Sequence, residues 1–273
     1  MKKLDNISIE STRQRLADGL KQFTTIIIKE YAEIMPIDSL DFLMSIQDYR
    51  NIIKIEPTGT ISMFVRNNKM YFPTDAYTVL NLMRRIPGYG INKNHKTYDS
   101  DNLIINNNTF GDYIKHVFLA GLTVEEFYLE TLLHETTHLC GIGGATAIRE
   151  GFAELKTREL AQKYGVKTSA CGYPKEVKIA YQLQNIFGKE IGDKIAFARD
   201  DNEISKIIYE SHSSKGVDLY FNVANSMKEQ FESYKSKRYP SVLGPLKKMS
   251  AYNKIDYSKT NQIIRNYIPD FRL

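Results

Sequence analysis

Two histidines and a glutamate within residues 134–138, whose sequence is HETTH, have the types and spacing that hydrolytic chemistry requires. On a helix, residues four positions apart share one face with their Cβ atoms about 5–6 Å apart, so His134 and His138 can bind the same cation. A catalytic zinc ion takes three protein ligands and keeps a fourth position open for water. Glu135 follows the first histidine directly, and we expect its carboxylate to act as the general base on that water. The segment therefore predicts a hydrolytic site with one Zn2+ per chain.

The element that must position these side chains is a helix, and the sequence predicts one over Val124–Leu139. Thr123 and Glu126 form a capping box at its start, and Gly141 is placed to end it. Apolar residues cover the other faces of this helix, which should therefore be buried. Unpaired His and Glu side chains are costly in an apolar core, and a bound metal would offset that cost. The alternative is a core helix whose His and Glu side chains are satisfied by hydrogen bonds alone.

The third ligand must come from outside this helix. Metzincins place a His or Asp six residues after the second histidine, but here that position is Gly144, which has no donor atom. No Asp follows His138 before Asp193, and no further His occurs before His212. Cys140 lies about 160° around the helix from the histidine face, so we interpret it as a core residue. The residues alone leave four candidates: Glu150, Glu154, Glu159 and Cys171.

Residues 150–154, EGFAE, follow the histidine motif, and the region Thr123–Tyr164 resembles the gluzincins, the thermolysin-like clan of zinc metallopeptidases. The resemblance implies that Glu150 is the third zinc ligand and that Glu154 accepts a hydrogen bond from a ligand imidazole. It also implies a peptide or protein substrate, hydrolysed at a peptide bond. Alternatively, both glutamates are solvated helix charges that pair with Arg149 or Arg158.

Gluzincins usually add a Tyr or His from a later segment, which stabilises the oxyanion that develops on the attacked carbonyl. Tyr209 and His212 are the candidates that the sequence offers for this role. The alternative is that Tyr209 is a packing residue and His212 a surface histidine.

The hydrophobic pattern predicts an α+β protein, and the resemblance to the gluzincins implies one zincin-like catalytic domain over residues 1–273. Residues 1–122 form a small mixed α/β lobe, and residues 123–273 form a predominantly helical lobe that carries the metal site. We expect the active-site cleft between the two lobes. Asn102–Ile105 is the strand expected beside this cleft.

Local patterns predict the elements within these lobes. A helix from Ser11 to about Met35 ends at Pro36, and strands Ile61–Val65 and Met70–Phe72 form a hairpin. Apolar periodicity then predicts helices over Val124–Leu139, Ile148–Tyr164, Pro174–Phe187, Asp193–Tyr209 and Val217–Tyr234.

The composition excludes several classes of protein. With 42% hydrophobic and 25% charged residues, the chain is typical of a folded domain rather than a disordered one. No apolar run approaches the roughly 18 residues of a membrane span, and the basic start at Met1 is not followed by the hydrophobic region of a secretory signal. Two cysteines suit a reducing compartment. We therefore expect a cytoplasmic protein without a membrane partner.

The positive charge is concentrated at the C-terminal end. Between Lys228 and Leu273, ten Lys and Arg stand against four Asp and Glu. These charges alternate with apolar residues, as on a solvated helix face, so we do not expect nucleic-acid binding. Two alternatives to a peptidase remain: a catalytically inactive zinc-containing scaffold, and a basic helical protein that binds nucleic acid or a partner.

Overall fold

The computed structural model describes residues 6–56, 63–73, 124–142, 146–168 and 172–235. Within these ranges the fold is broadly α+β, because it is mostly helical with one small sheet. The α-helices are α1 (Asn6–Tyr31), α2 (Ile37–Met44), α3 (Val124–Leu139), α4 (Ala147–Tyr164), α5 (Pro174–Phe187), α6 (Lys189–Phe197) and α7 (Asp201–Lys235). The strands are β1 (Ile53–Glu56), β2 (Phe64–Arg66) and β3 (Lys69–Pro73), and a 3-10 helix covers Tyr49–Ile52.

The first helix confirms the predicted amphipathic pattern. Its apolar positions at helical spacing are all buried, namely Leu16, Leu20, Phe23, Ile27 and Tyr31. The helix ends at Tyr31 rather than at about Met35, because a turn precedes Pro36. A residue before proline is disfavoured in the α conformation, and here the proline stands just outside α2 as its N-cap.

The sheet has the strand order β1-β3-β2. Strands β2 and β3 pair antiparallel, and Arg66 lies opposite Lys69 across a two-residue turn. Asn67 and Asn68 have φ of 51° and 54°, which is the left-handed conformation that such a turn requires. The predicted hairpin is confirmed over the described residues. The sequence did not predict β1, which pairs with β3 in parallel.

The helices pack around one another in chain order, with α1 against α3, α3 against α4, and α4 against α5. The buried apolar side chains form a single cluster that extends from Leu16 of α1 to Met227 of α7. The predicted bounds of α3 and α5 are confirmed, and α4 begins one residue earlier than predicted.

The predicted helix Asp193–Tyr209 is wrong, because the chain breaks it into α6 and α7. Ala198 has extended backbone angles, and the Asp200 side chain accepts a hydrogen bond from the backbone N–H of Glu203. Such a cap favours a new helix start over continuation. The predicted helix Val217–Tyr234 is the second part of α7, which bends where Ser213 has a φ of 67°.

Some predictions lie outside the described residues: Thr123 of the capping box, the strand Asn102–Ile105, Cys171, and the basic segment beyond residue 235. Among the helices that the structure describes, none is both long and apolar enough to cross a membrane.

Candidate metal centre

His134 and His138 lie one turn apart on α3, and their Nε2 atoms are 3.2 Å apart. The two rings meet nearly edge to face, with centroids 4.9 Å apart. Only 7% of the His134 side chain and 13% of the His138 side chain are exposed. The structure therefore brings the two predicted ligands together in a mostly buried position.

The other ring nitrogen of each histidine has its own acceptor. His134 Nδ1 lies 2.9 Å from Oε2 of Glu154, and His138 Nδ1 lies 2.7 Å from the carbonyl oxygen of Ile142. A carbonyl oxygen only accepts, so His138 must carry its proton on Nδ1. The ionised carboxylate of Glu154 assigns the same tautomer to neutral His134. Both Nε2 lone pairs are then left facing each other and available to a cation.

Glu150 completes the group, since its Oε2 lies 3.3 Å from His134 Nε2 and 3.4 Å from His138 Nε2. These three residues could together hold a metal ion. A tetrahedral zinc ion with bonds of about 2.0–2.1 Å holds neighbouring donor atoms about 3.3 Å apart. The donor types and their spacing thus match three corners of a tetrahedral zinc site.

The end of α3 explains why the Ile142 carbonyl reaches His138. Gly141 has a φ of 119°, and the N–H groups of Gly141 and Ile142 donate to the carbonyl oxygens of His138 and Thr137. This pair of hydrogen bonds is a Schellman motif, with the glycine at C′ as predicted. The motif turns the chain back on the last helical turn and places the Ile142 carbonyl beside the His138 ring.

Glu154 lies beside the metal-ligand group but contacts only one of its members. Its Oε2 accepts from His134, and its Oε1 accepts from Arg158 Nε at 2.9 Å. The Arg158 guanidinium also donates to the carbonyl of Gly172. The Glu154 side chain is 4% exposed, so the alternative that it is a solvated helix charge is wrong, although its predicted pairing with Arg158 does occur.

The remaining ligand candidates lie in other surroundings. Glu159 pairs with the buried Lys156 and with Lys189. Cys140 is fully buried, as expected for a core residue, and burial raises the pKa of its thiol. Arg149 does not pair with Glu150 in the described contacts, because its guanidinium donates to the two carbonyl oxygens of Ile195 and Ala196 at the end of α6.

Opposing influences set the protonation of the metal-ligand group. Burial, the largest single influence, lowers the pKa of both histidines, but hydrogen bonds to Glu150, joined at His134 by Glu154, and the negative charges of the nearby carboxylates together hold each pKa above its ordinary value of 6.5. Burial raises the pKa of Glu150, but hydrogen bonds from the two histidines hold it well below 4.5. The group therefore binds a proton tightly when no cation is present, and a metal must displace that proton.

Glu135 lies half-buried next to His134 on α3. Burial raises the pKa of Glu135 to about 7, although the nearby histidines act in the opposite direction. The backbone of Val65 in β2 lies near this carboxylate and also acts to lower its pKa. A carboxyl group that titrates near neutrality has the proton affinity that a general base needs.

Sequence reasoning missed Tyr173. Its ring lies nearly parallel to the ring of His134, with centroids 5.4 Å apart and planes 15° apart. Tyr173 is also the N-cap of α5 and has a left-handed backbone, with a φ of 44°. The sequence predicts only that a helix begins at Pro174, and no sequence pattern marks a ring that packs on a distant histidine.

The structure places the two predicted oxyanion residues on α7. Tyr209 is 63% exposed. His212 packs edge-on against the ring of Phe187 and lies 2.9 Å from Ser211 Oγ. Burial lowers the pKa of His212. None of these contacts involves the histidines of α3, so the oxyanion role of either residue stays a prediction.

Comparisons with known protein families, with curated proteins and with solved structures found no match to the chain.

Proposed function

We propose that the chain is a zinc-dependent metallopeptidase of the gluzincin type, with His134, His138 and Glu150 as metal ligands. The observation that carries the proposal is the triangle of donor atoms, whose sides of 3.2, 3.3 and 3.4 Å are those of a tetrahedral zinc site. Both histidines have a separate acceptor at Nδ1, so Nε2 of each ring is the atom that converges on Oε2 of Glu150, where a metal would displace the bound proton. A cation is the simplest partner for three such donors.

Glu135 is the proposed general base. When bound, a zinc ion lowers the pKa of a water molecule and polarises the carbonyl under attack. The Glu135 carboxylate accepts the proton of the attacking water and returns it to the leaving amine nitrogen. Glu154 holds the proton on Nδ1 of His134 throughout, which keeps Nε2 available as a ligand.

The position of β2 supports an extended peptide as substrate. The two-residue turn makes Arg66 and Lys69 a hydrogen-bonded pair, so the backbone groups of Val65 face away from β3. β2 forms one edge of the described sheet, and the Val65 backbone lies against Glu135. A peptide that adds to this edge by backbone hydrogen bonds would lie beside the general base.

The proposed architecture is a zincin-like one, in which a small mixed lobe and a helical lobe flank a cleft with α3 along its floor. The contact between β2 and α3 supports this arrangement. The proposed setting is the cytoplasm, with a peptide or protein substrate.

Two measurements test the proposal. The first is metal content by plasma mass spectrometry, where we expect one equivalent of zinc in the wild type and a large loss in Glu150→Ala. The second is cleavage of a mixed peptide library, where Glu135→Gln should retain zinc and lose roughly 10²- to 10⁴-fold in rate. Glu190→Gln is the matched control, because Glu190 pairs with Lys194 on the exposed face of α6.

The alternatives predict other results. An inactive zinc scaffold would retain one equivalent of zinc. It would cleave no peptide, so Glu135→Gln would cause no loss of activity. A protein that binds nucleic acid would take up no zinc and would bind with a strong salt dependence. Wild type that takes up no metal from micromolar zinc would contradict the proposed function.

A further inference from the structure

The ring of Tyr173 covers one face of the His134 imidazole. The two planes are 15° apart and the centroids are 5.4 Å apart, which is within the range of offset aromatic stacking. Among the described contacts, the Nδ1 end of the His134 ring is held by its hydrogen bond to Glu154. A hydrogen bond at one atom leaves the ring free to tilt about that atom, whereas a flat surface against its face removes the tilt.

The backbone of Tyr173 is unusual for its position. Its φ and ψ of 44° and 48° are left-handed, which a side chain with a Cβ rarely adopts. A residue before proline normally prefers the extended region, and Pro174 follows directly. An observed outlier of this kind needs support from its surroundings, and such outliers are enriched at functional sites.

Two contacts hold this backbone in place. Arg158, which donates to Glu154, also donates to the carbonyl of Gly172. A Cβ on Gly172 would lie 3.0 Å from the carboxyl carbon of Glu154, so the segment is pressed onto that carboxylate. The Tyr173 carbonyl also accepts the first hydrogen bond of α5, from the N–H of Val177 at 2.9 Å.

The close approach of α4 and α5 extends this support to the metal ligands. A Cβ on Gly151 would lie 2.5 Å from the carbonyl oxygen of Glu176, so only a glycine allows the two helices to approach this closely. Gly151 follows Glu150 directly. The start of α5, and with it Tyr173, is therefore fixed relative to the ligand on α4.

We propose that Tyr173 is a positioning residue for the metal site, a role that rests on the proposed function. Its ring fixes the plane of the His134 imidazole, so that Nε2 points to the proposed metal position between His134, His138 and Glu150. The face of the ring performs this role, and Tyr173→Phe retains that face. Tyr173→Phe should therefore behave as wild type, and Tyr173→Ala should not.

The test measures zinc affinity by competition with a chelator, the visible absorption spectrum of the cobalt-substituted protein, and thermal unfolding of the metal-free protein. Tyr173→Ala should raise the Kd for zinc about tenfold, as loss of a residue that orients a ligand does, and should change the cobalt spectrum. Tyr173→Phe should match wild type in both. Tyr181→Ala is the matched control, because Tyr181 lies on α5, whose N-cap is Tyr173, and is 52% exposed.

Tyr173→Gly separates positioning from folding. Glycine adopts the left-handed conformation at no steric cost, so this variant removes the ring without straining the backbone. We expect its metal-free unfolding temperature to stay close to that of wild type while its zinc affinity falls as in Tyr173→Ala. This variant also decides the question if Tyr173→Ala fails to fold.

Three outcomes would overturn the inference. If wild type binds zinc and Tyr173→Ala and Tyr173→Gly bind it equally well with the same cobalt spectrum, Tyr173 does not position His134. If Tyr173→Phe loses as much affinity as Tyr173→Ala, the hydroxyl acts instead of the ring. If wild type binds no zinc, the proposed function fails and the inference fails with it.

Discussion

The Nδ1 atom of His138 donates to the carbonyl oxygen of Ile142 at 2.7 Å, and the two residues are only four positions apart in the chain. The contact depends on the Schellman motif, whose C′ residue is Gly141 with a φ of 119°. A side chain at Gly141 would be strained, and its Cβ would lie 2.7 Å from Cδ of Pro36. The geometry of His138, a proposed ligand, is thus tied to the backbone of Gly141.

Gly141→Ala should therefore lower both stability and zinc affinity. Backbone strain of this kind costs about 1–3 kcal/mol, and displacement of the Ile142 carbonyl should weaken zinc binding about 10-fold. Thermal unfolding and chelator competition measure the two effects. Gly165→Ala is the control, because Gly165 has a φ of 69° and a Cβ there would meet no atom within 4 Å. This variant should lose stability through backbone strain and keep the zinc affinity of wild type. Equal zinc affinity in both variants would contradict this account.

Glu154→Ala should weaken zinc binding about 10- to 100-fold without removing a ligand, as loss of a partner of a ligand imidazole does. The substitution leaves the Nδ1 proton of His134 and the guanidinium of Arg158 without their buried carboxylate. Glu154→Gln should be milder because its amide oxygen can still accept from His134. Isothermal titration with zinc measures the series. If Glu154→Ala binds zinc as tightly as wild type, Glu154 has no role in orienting His134.

The metal-free protein should become less stable as the pH rises above 6.5. The folded pKa values of His134 and His138 are raised above 6.5, so their contribution is complete below that pH and is lost as the pH rises through the folded values. Glu135, with its pKa raised to about 7, acts in the same direction from pH 4.5 upward. Glu150 has a lowered pKa, so its contribution is lost only as the pH falls below 4.5.

Unfolding temperatures of the chelator-treated protein between pH 5 and pH 8.5 measure this dependence. A change of 1 kcal/mol corresponds to about 2–4 °C in a domain of this size. Zinc binds the neutral imidazoles, so it should stabilise the protein more at pH 8 than at pH 6. The variant His134→Ala/His138→Ala should lose most of the slope above pH 6.5, and His212→Ala should retain it. An equal slope in the double variant would show that other groups titrate.

Gly151→Ala should destabilise the protein by about 1–3 kcal/mol, as overpacking in a dense core does. The added Cβ would lie 2.5 Å from the backbone oxygen of Glu176, which can move only if α4 and α5 separate. Gly19→Ala is the matched control, because its Cβ would meet only the ends of the Leu132 and Leu129 side chains, the nearer at 2.9 Å. Urea unfolding should rank Gly151→Ala as the less stable variant. The opposite ranking would argue against a rigid contact between the two helices.

Lys156→Met should destabilise the protein by about 3–5 kcal/mol, since it removes one partner from a buried ion-pair network. Lys156 is fully buried and donates to Gln184, Glu159 and Asp193, which connect α4 to α5 and α6. Lys194→Met removes an exposed pair and should cost less than about 1 kcal/mol. Denaturant unfolding of the two variants measures the difference. Equal losses of unfolding free energy in the two variants would show that the buried network adds no more to stability than a surface ion pair.

Sequence alone predicted the elements whose causes are local. The hairpin at Asn67 and Asn68, the end of α3 at Gly141 and the bounds of α5 follow from turn residues, caps and apolar periodicity. The break between α6 and α7 was missed, although Asp200 and Glu203 offer a capping signal there. The apolar periodicity continues through this break and outweighed the capping signal.

The structure also shows which parts of the site the sequence does not encode locally. The spacing of His134 and His138 follows from helix geometry. The assignment of Glu150 as the third ligand followed from the resemblance to the gluzincins. The stacking of Tyr173 on His134 arises only when α5 docks on α4, so no pattern in either segment reveals it. Tertiary contacts between separate helices account for what sequence reasoning missed.

The acceptor that orients each histidine lies at a different distance from it along the chain. This difference bears on the order in which the parts of the site form during folding. His138 finds its acceptor four residues away, so that half of the site forms as soon as α3 and its terminal turn form. His134 depends on Glu154, twenty residues away, and therefore on the docking of α4, which carries the entropy of closing a loop. A metal that needs all three donors binds only after docking and stabilises the docked state by mass action. Metal uptake during refolding would thus report the last stage of tertiary assembly rather than the first formation of helix.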